Sequence, residues 1–254
     1  MGIHDISSRS NPAFRSLLRL LDGRGVKKQR LSLLSGPKQV KEVLLEFSDR
    51  CEAVIQSKKH KLPDDILAPG LQTYLLSAEL FREVDAFGTN QPVLIVRVPP
   101  FPAWNSREPV KGCTLLIPFQ DPGNVGAVIR SAAAFGVVNL VVLKEAAHPF
   151  HYKSTRAAGS ALFRVPMFEG PSIQELGRPA APVITLSAGG EDIRRFRFPE
   201  SFCLLPGLEG PGLPPALRHL KSVSIPMERG VESLNAALAT GIALYEWQRN
   251  SKKV

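Results

Sequence analysis

Long apolar runs are missing from this chain of 254 residues. None approaches the roughly 20 residues needed to cross a bilayer, and the N-terminus has no continuous apolar stretch of the secretory kind. Neither a membrane-embedded nor an exported protein is expected. Cysteine is scarce as well. Cys51, Cys113 and Cys203 are odd in number and far apart, which excludes a disulfide framework and offers no zinc spacing; reduced thiols in a cytoplasmic protein are expected. No serine or cysteine has a histidine partner that would make a nucleophilic triad. His148 and His151 flank Pro149-Phe150 without the carboxylate or thiolate cluster that a metal needs, so they read as surface histidines and no metal is expected. Acidic residues are in deficit, 23 Asp and Glu against 32 Lys and Arg, which gives a net charge of +9. That balance points to a polyanionic partner, nucleic acid before others. Internal repeats and low-complexity tracts are absent too.

The basic excess begins early. Arg9, Arg15, Arg19, Arg24, Lys27, Lys28 and Arg30 face only Asp5 and Asp22. Phe14, Leu17, Leu18 and Leu21 form an apolar stripe between the charges, so these residues read either as the solvated face of a helix or as an arm that contacts phosphates. Ser35-Gly36-Pro37 then starts a helix with apolar residues at Val40, Val43, Leu44 and Phe47. Short strands are expected at Ala53–Ile55, Thr73–Leu76 and Val93–Val98. Residues 1–98 thus form a small α/β unit. Pro99, Pro100, Pro102 and Pro109 mark a linker at 99–111, because proline at that density continues neither a helix nor a central strand. Over 112–254, the runs Thr114–Phe119, Val137–Leu143, Val183–Leu186, Phe202–Leu205 and Val223–Ile225 alternate with helical or loop segments, the pattern of a mostly parallel, doubly covered sheet.

Three loops at strand ends carry chemistry. After Phe119 the segment Asp121-Pro-Gly-Asn-Val-Gly-Ala-Val-Ile-Arg130 opens a helix whose Val125, Val128, Ile129 and Ala132 face the sheet. Arg130 leaves that face about one and a half turns after Asn124. It is either an ordinary surface arginine or a cation held for a ligand, near a helix start where the dipole does not favour it. The glycine spacing is neither a dinucleotide fingerprint nor a Walker loop, which disfavours a nucleotide-binding enzyme of those kinds. The second loop, Leu205-Pro-Gly207-Leu-Glu209-Gly210, holds one carboxylate among rigid and permissive backbone. The third follows Ile225-Pro226-Met227 and leads into Ser233-Leu234-Asn235. There Ser233 is expected to cap a helix ending near Lys252 and Lys253, and Asn235 is expected to have a partner outside it.

Together, in order and spacing over residues 112–250, these segments resemble the three motifs of the SpoU (TrmH-like) branch of the SPOUT superfamily, the RNA ribose 2′-O-methyltransferases. The resemblance implies an α/β fold: a C-terminal SPOUT domain with a deep trefoil knot around a mostly parallel sheet, preceded by a smaller L30e-like RNA-binding domain. It implies S-adenosylmethionine as cofactor, contacted by Gly207, Ile225 and Leu234, with Leu186 and Ser187 after the Val183 strand as further contacts. Asn124, Arg130, Glu209, Ser233 and Asn235 fall on the family's catalytic and RNA-contacting positions. The implied partners are rRNA or tRNA and a second copy of the chain, paired through the knotted domain. Two positions depart from the family pattern: Leu208 stands where a small polar residue is common, and Arg156-Ala-Ala-Gly-Ser160 replaces an Arg-x-Ser-x-Gly order. The alternative is a non-catalytic RNA-binding or ribosome-assembly factor on the same fold.

Overall fold

The computed structural model describes residues 2–63, 70–208 and 214–251. Glu209, Gly210, Lys252 and Lys253 lie outside the described residues. The chain divides into two units: Met1–Pro100 with His148–Phe163, and Phe101–Ala147 with Arg164–Val254.

The first unit is built from β1 (Ile3–Ile6), α1 (Pro12–Arg19), α2 (Gly23–Gln29), β2 (Leu31–Leu34), α3 (Pro37–Glu46), β3 (Cys51–Ser57), β4 (Gln72–Leu76), α4 (Ala78–Val84) and β5 (Val93–Arg97). Its five strands run in the order β1-β4-β3-β5-β2. β4 pairs parallel with β1 and β3, whereas β5 pairs antiparallel with β3 and β2. Alternating residues bury both faces: Ala53, Ile55, Val93 and Ile95 join Phe14, Leu17 and Phe81 in one apolar cluster, while Val54, Leu94 and Val96 are buried on the opposite side. α1 forms where the apolar stripe is, with Asn11 accepting the Ala13 N–H at 2.8 Å and proline in the first turn. Phe14 and Leu17 point inward, and Arg15, Arg19, Arg24, Lys27, Lys28 and Arg30 are exposed. β1 and β2 have no counterpart among the expected strands. β1 has a polar centre, His4-Asp5, and β2 follows the basic run with no glycine or proline to announce it. Arg30 makes that turn itself in the left-handed conformation, φ 54°.

The second unit contains β6 (Gly112–Ile117), α5 (Pro122–Ala134), β7 (Asn139–Val142), β8 (Met167–Glu169), β9 (Val183–Asp192), β10 (Ser201–Leu205), β11 (Lys221–Ser224) and the last helix, Ala236–Ser251. The six strands are all parallel, in the order β11-β9-β10-β6-β7-β8. Leu116, Val141, Val183, Cys203 and Leu205 form the core on one face with Ile173 and Leu176. The proline-rich stretch is hydrogen-bonded within this unit: the Trp104 N–H donates to Glu169 O, the Glu169 N–H to Pro102 O, and the Ala180 N–H to Ser106 O.

Between β7 and β8 the segment His148–Phe163, which carries α6 (Tyr152–Ala158), belongs to the first unit. Phe150 is fully buried there, Ser32 donates to its carbonyl, and Thr155 donates to Leu33 O. His148 is therefore not the surface histidine expected. It is half-buried, its Nδ1 accepts the Phe150 N–H at 3.1 Å, and burial, with Lys27 and His151 nearby, pushes its pKa down to about 4, so the ring is neutral at pH 7. His151 caps α6 by accepting the Lys153 N–H. Arg156 lies with its guanidinium 4.7 Å from the centre of the Phe87 ring. All three cysteines are free and buried. Burial pushes Cys51 up to about 11 and Cys203 up to about 12, which leaves protonated, unreactive thiols. No helix among the described residues is long and apolar enough to cross a membrane.

Candidate active site

The site lies at the C-terminal ends of the parallel strands in the second unit, the edge at which open α/β sheets bind ligands. Asp121 accepts the Asn124 N–H at 2.9 Å, and Pro122 occupies the first helical position, so the Asp-Pro-Gly-Asn turn is the N-terminal cap of α5. Asn124 is thereby fixed in the first turn, and Arg130 follows further along, exposed.

The last helix, now α7 (Ala236–Ser251), starts later than expected, and Ser233 does not cap it. Asn235 does: its Oδ1 accepts the N–H groups of Ala237 and Leu238 at 3.0 and 3.1 Å. With the carbonyl end of its amide committed to the cap, Nδ2 donates to Asn124 Oδ1 at 3.0 Å. The expected external partner of Asn235 is thus Asn124, 111 residues earlier in the chain. α5 and α7 lie side by side in the same direction: a Cβ on Gly241 would sit 3.3 Å from Ser131 Oγ, and Phe135 meets Tyr245 at 6.0 Å. Their N-terminal ends therefore converge at the Asn124–Asn235 bond, and each end carries partial positive charge.

Asn235→Asp and Asn235→Ala separate the two jobs of this side chain. Aspartate keeps the cap acceptor but offers Asn124 no donor, so its melting temperature should not fall below native while activity drops. Alanine loses both and should cost about 1 kcal/mol of stability. Thermal unfolding beside a methyl-transfer assay checks this; an aspartate variant with native activity would remove Asn235 from the positioning of Asn124.

Beside this bond lies an open pocket of about 180 Å³. Its lining includes Leu186, Ser187, Gly207, Ile225 and Leu234, together with Ser233, Glu232, Met227, Ala236 and Ala239. All five residues expected to hold a cofactor therefore share one pocket. Leu186 and Ser187 are not in a loop after the strand, as expected, but within β9, where the ladder to β11 breaks: Ser222 pairs with Thr185 and the next residue, Val223, pairs with Glu191. The residues between, 186–190, bulge from the sheet and form one wall. Gly190 permits this, since a Cβ there would lie 2.6 Å from the backbone of Ser222 and Val223. Ser224 Oγ donates to Gly190 O at 2.8 Å and holds the base of the bulge. The opposite loop enters through Gly207, where a Cβ would be 3.7 Å from the Leu186 carbonyl oxygen. Aliphatic walls, close backbone and a polar rim suit an amphiphilic nucleoside cofactor such as S-adenosylmethionine. No group of three or more metal-ligating side chains occurs among the described residues. Sequence reasoning missed Asp121 and Glu232; the cap spacing of Asp-Pro-Gly-Asn was a signal for the first, whereas the second had none.

The sequence profile of the SpoU rRNA methylase family matches residues 113–245. The chain belongs to the SpoU rRNA methylase family. Over 254 residues, 99% of this chain, it is 47% identical to a protein of Syntrophobacter fumaroxidans named ribosomal RNA small subunit methyltransferase G 2, and it spans 50% of that protein's length. Over 219 residues it is 31% identical to the 23S rRNA (guanosine(2553)-2′-O)-methyltransferase RlmP of Bacillus subtilis, covering 84% of this chain and 82% of RlmP. In structure, this SpoU chain is similar to the SpoU methyltransferase AviRb of Streptomyces viridochromogenes solved in complex with AdoMet: TM-score 0.76, 25% identity, 96% of this chain and 100% of AviRb covered.

Proposed function

We propose that this SpoU chain transfers a methyl group from S-adenosylmethionine to a ribose 2′-hydroxyl of RNA, ribosomal RNA before transfer RNA. The observation that carries the reading is the Asn235–Asn124 hydrogen bond beside the pocket, because it joins the family's first and third motifs in one place. When bound, S-adenosylmethionine supplies an electrophilic methyl on a sulfonium, whose departure leaves a neutral thioether. Leu186, Ser187, Gly207, Ile225 and Leu234 would hold it.

The remaining task is to align a hydroxyl and stabilise the charge it develops. Arg130 keeps its proton in proteins, so it serves as the cation facing the developing alkoxide and not as the base. A water or an RNA phosphate takes the proton. The converging N-termini of α5 and α7 add to the same positive field, which favours both the alkoxide and the neighbouring phosphates. Asn124, its carbonyl oxygen engaged by Asn235, presents its own N–H donors to ribose, and Ser233 offers a hydroxyl at the pocket. Glu209 is proposed to hold Arg130 or its loop. Buried, protonated thiols accord with a cytoplasmic protein.

Two further features belong to the proposal. After β10 the chain passes beyond β9 to form β11, a crossing that accords with the family's trefoil knot. A second copy is proposed to pack on the exposed face of α7. Ala243 is fully buried and Ala236 and Ala239 line the pocket, whereas Leu238 and Tyr245, one heptad apart, are 55% and 51% exposed. Leu238→Arg with Tyr245→Arg should convert a dimer to a monomer in sedimentation equilibrium; an unchanged mass would remove this face from the interface.

The function is tested by titrating the protein with S-adenosylmethionine in a calorimeter and by mapping ribose methylation in RNA from cells lacking it. One methylated ribose should be lost and restored by the native chain. Failure to bind the cofactor, with RNA binding retained, would instead favour the assembly-factor reading.

A further inference from the structure

Among the described residues that line the pocket, Glu232 carries the only charged side chain. The walls around it include Leu186, Ile225, Leu234, Met227 and three alanines, with Ser187 and Ser233 as the other polar side chains among the described residues. Glu175, Asp192, Glu200 and Glu246 in the same unit are each paired with a lysine or arginine. Glu232 has no hydrogen bond or ion pair among the described residues, although Arg229 stands three positions before it. A carboxylate left without a cation at the rim of an apolar pocket sets up a negative potential there, because the walls screen poorly and focus the field.

The reading of the pocket as an S-adenosylmethionine site, on which this inference rests, gives that potential a use. The methyl donor carries a sulfonium and an α-ammonium against one carboxylate, a net charge of +1, whereas the product S-adenosylhomocysteine has lost the sulfonium charge and is neutral overall. We propose that Glu232 is a specificity residue for this charge difference, favouring the sulfonium form of the cofactor over the thioether product. The same carboxylate that attracts the donor then gives the product no such hold, which eases its exchange for a fresh donor. Because Glu232 is exposed, solvent reduces the effect, and it amounts to a modest bias on affinity.

Calorimetric titration of the native protein, Glu232→Gln and Glu232→Lys with three ligands tests this. S-adenosylmethionine has a sulfonium; sinefungin has an amine in its place, also cationic; S-adenosylhomocysteine has neither, and all three share the adenosine and the α-ammonium. Glu232→Gln should weaken the two cationic ligands by roughly two- to fivefold and leave S-adenosylhomocysteine unchanged. Glu232→Lys should widen the loss for the cations and tighten the neutral product relative to them. Raising salt should narrow the native protein's preference for the cations and leave that of Glu232→Gln flat. Equal weakening of all three ligands would assign Glu232 to the shared α-ammonium or to the fold, and no change in any would remove it from the site; either result overturns the proposal. If the native protein binds none of the three, the cofactor reading itself fails, and this inference with it.

Discussion

Replacing Arg130 by alanine is expected to slow methyl transfer by about 10²–10³-fold, with the affinity for S-adenosylmethionine unchanged. Arg130 stands on α5 with an exposed side chain and is not among the residues lining the pocket, so its removal takes nothing from the walls that hold the cofactor. In the proposed role, what it removes is a cation whose interaction grows as the hydroxyl becomes an alkoxide, and a loss confined to the transition state lowers kcat and kcat/KM together. α5 itself should survive, because its inward face, Val125, Val128, Ile129 and Ala132, is fully buried and does not include Arg130. Arg130→Lys should fall between alanine and native, keeping charge but losing the planar fork that can engage two oxygens at once. Single-turnover rates with calorimetric cofactor affinities are the measurement. A variant with near-native turnover would refute the role given to Arg130.

The second expectation concerns the acceptor atom. An RNA substrate carrying 2′-deoxyribose at the target nucleotide, and ribose elsewhere, should accept no methyl at all. A base nitrogen as acceptor would call for a group that removes a ring proton, commonly a carboxylate. The first motif instead presents Arg130 and the converging positive ends of α5 and α7, which suit an oxyanion. On normal substrate the product should resist alkaline cleavage immediately 3′ of the modified nucleotide, because the oxygen that attacks the phosphate is capped. Methylation of the deoxy substrate would put the methyl on a base and take the assignment of Arg130 with it.

The parts of this architecture that follow from local chemistry were legible in the sequence, and those set by partners far along the chain were not. Asn124 could be picked out because it lies in a short turn after an apolar run, whereas Gly207, Ile225 and Leu234 came with the resemblance to the family's motifs. The short apolar runs that mark β3 to β7 and β10 are likewise a property of neighbouring residues. By contrast, the bulge at 186–190 depends on β11 re-pairing with Glu191, a fact stored more than thirty residues away from Leu186. The start of α7 was misjudged for a similar reason. Ser233 and Asn235 are both good caps by type, and the choice between them is fixed by Asn124, which holds the amide of Asn235 in place. β8, three residues long, has too short a pattern to register at all. The membership of 148–163 in the first unit could not be read locally either, since Phe150 and Leu162 look alike whichever core they enter.

That last segment has a consequence for how the protein is made. The first unit is not complete when its hundredth residue leaves the ribosome, because Ser32 and Leu33 of β2 await Phe150 and Thr155. By then β6, α5 and β7 have already been synthesised, so the start of the second unit must emerge before the first can close. Completion of the first unit before any of the second is synthesised, the usual course in domain-by-domain folding from the N-terminus, is therefore not open to this chain. The nascent first sheet waits several seconds, at roughly 5–20 residues per second, for its final piece.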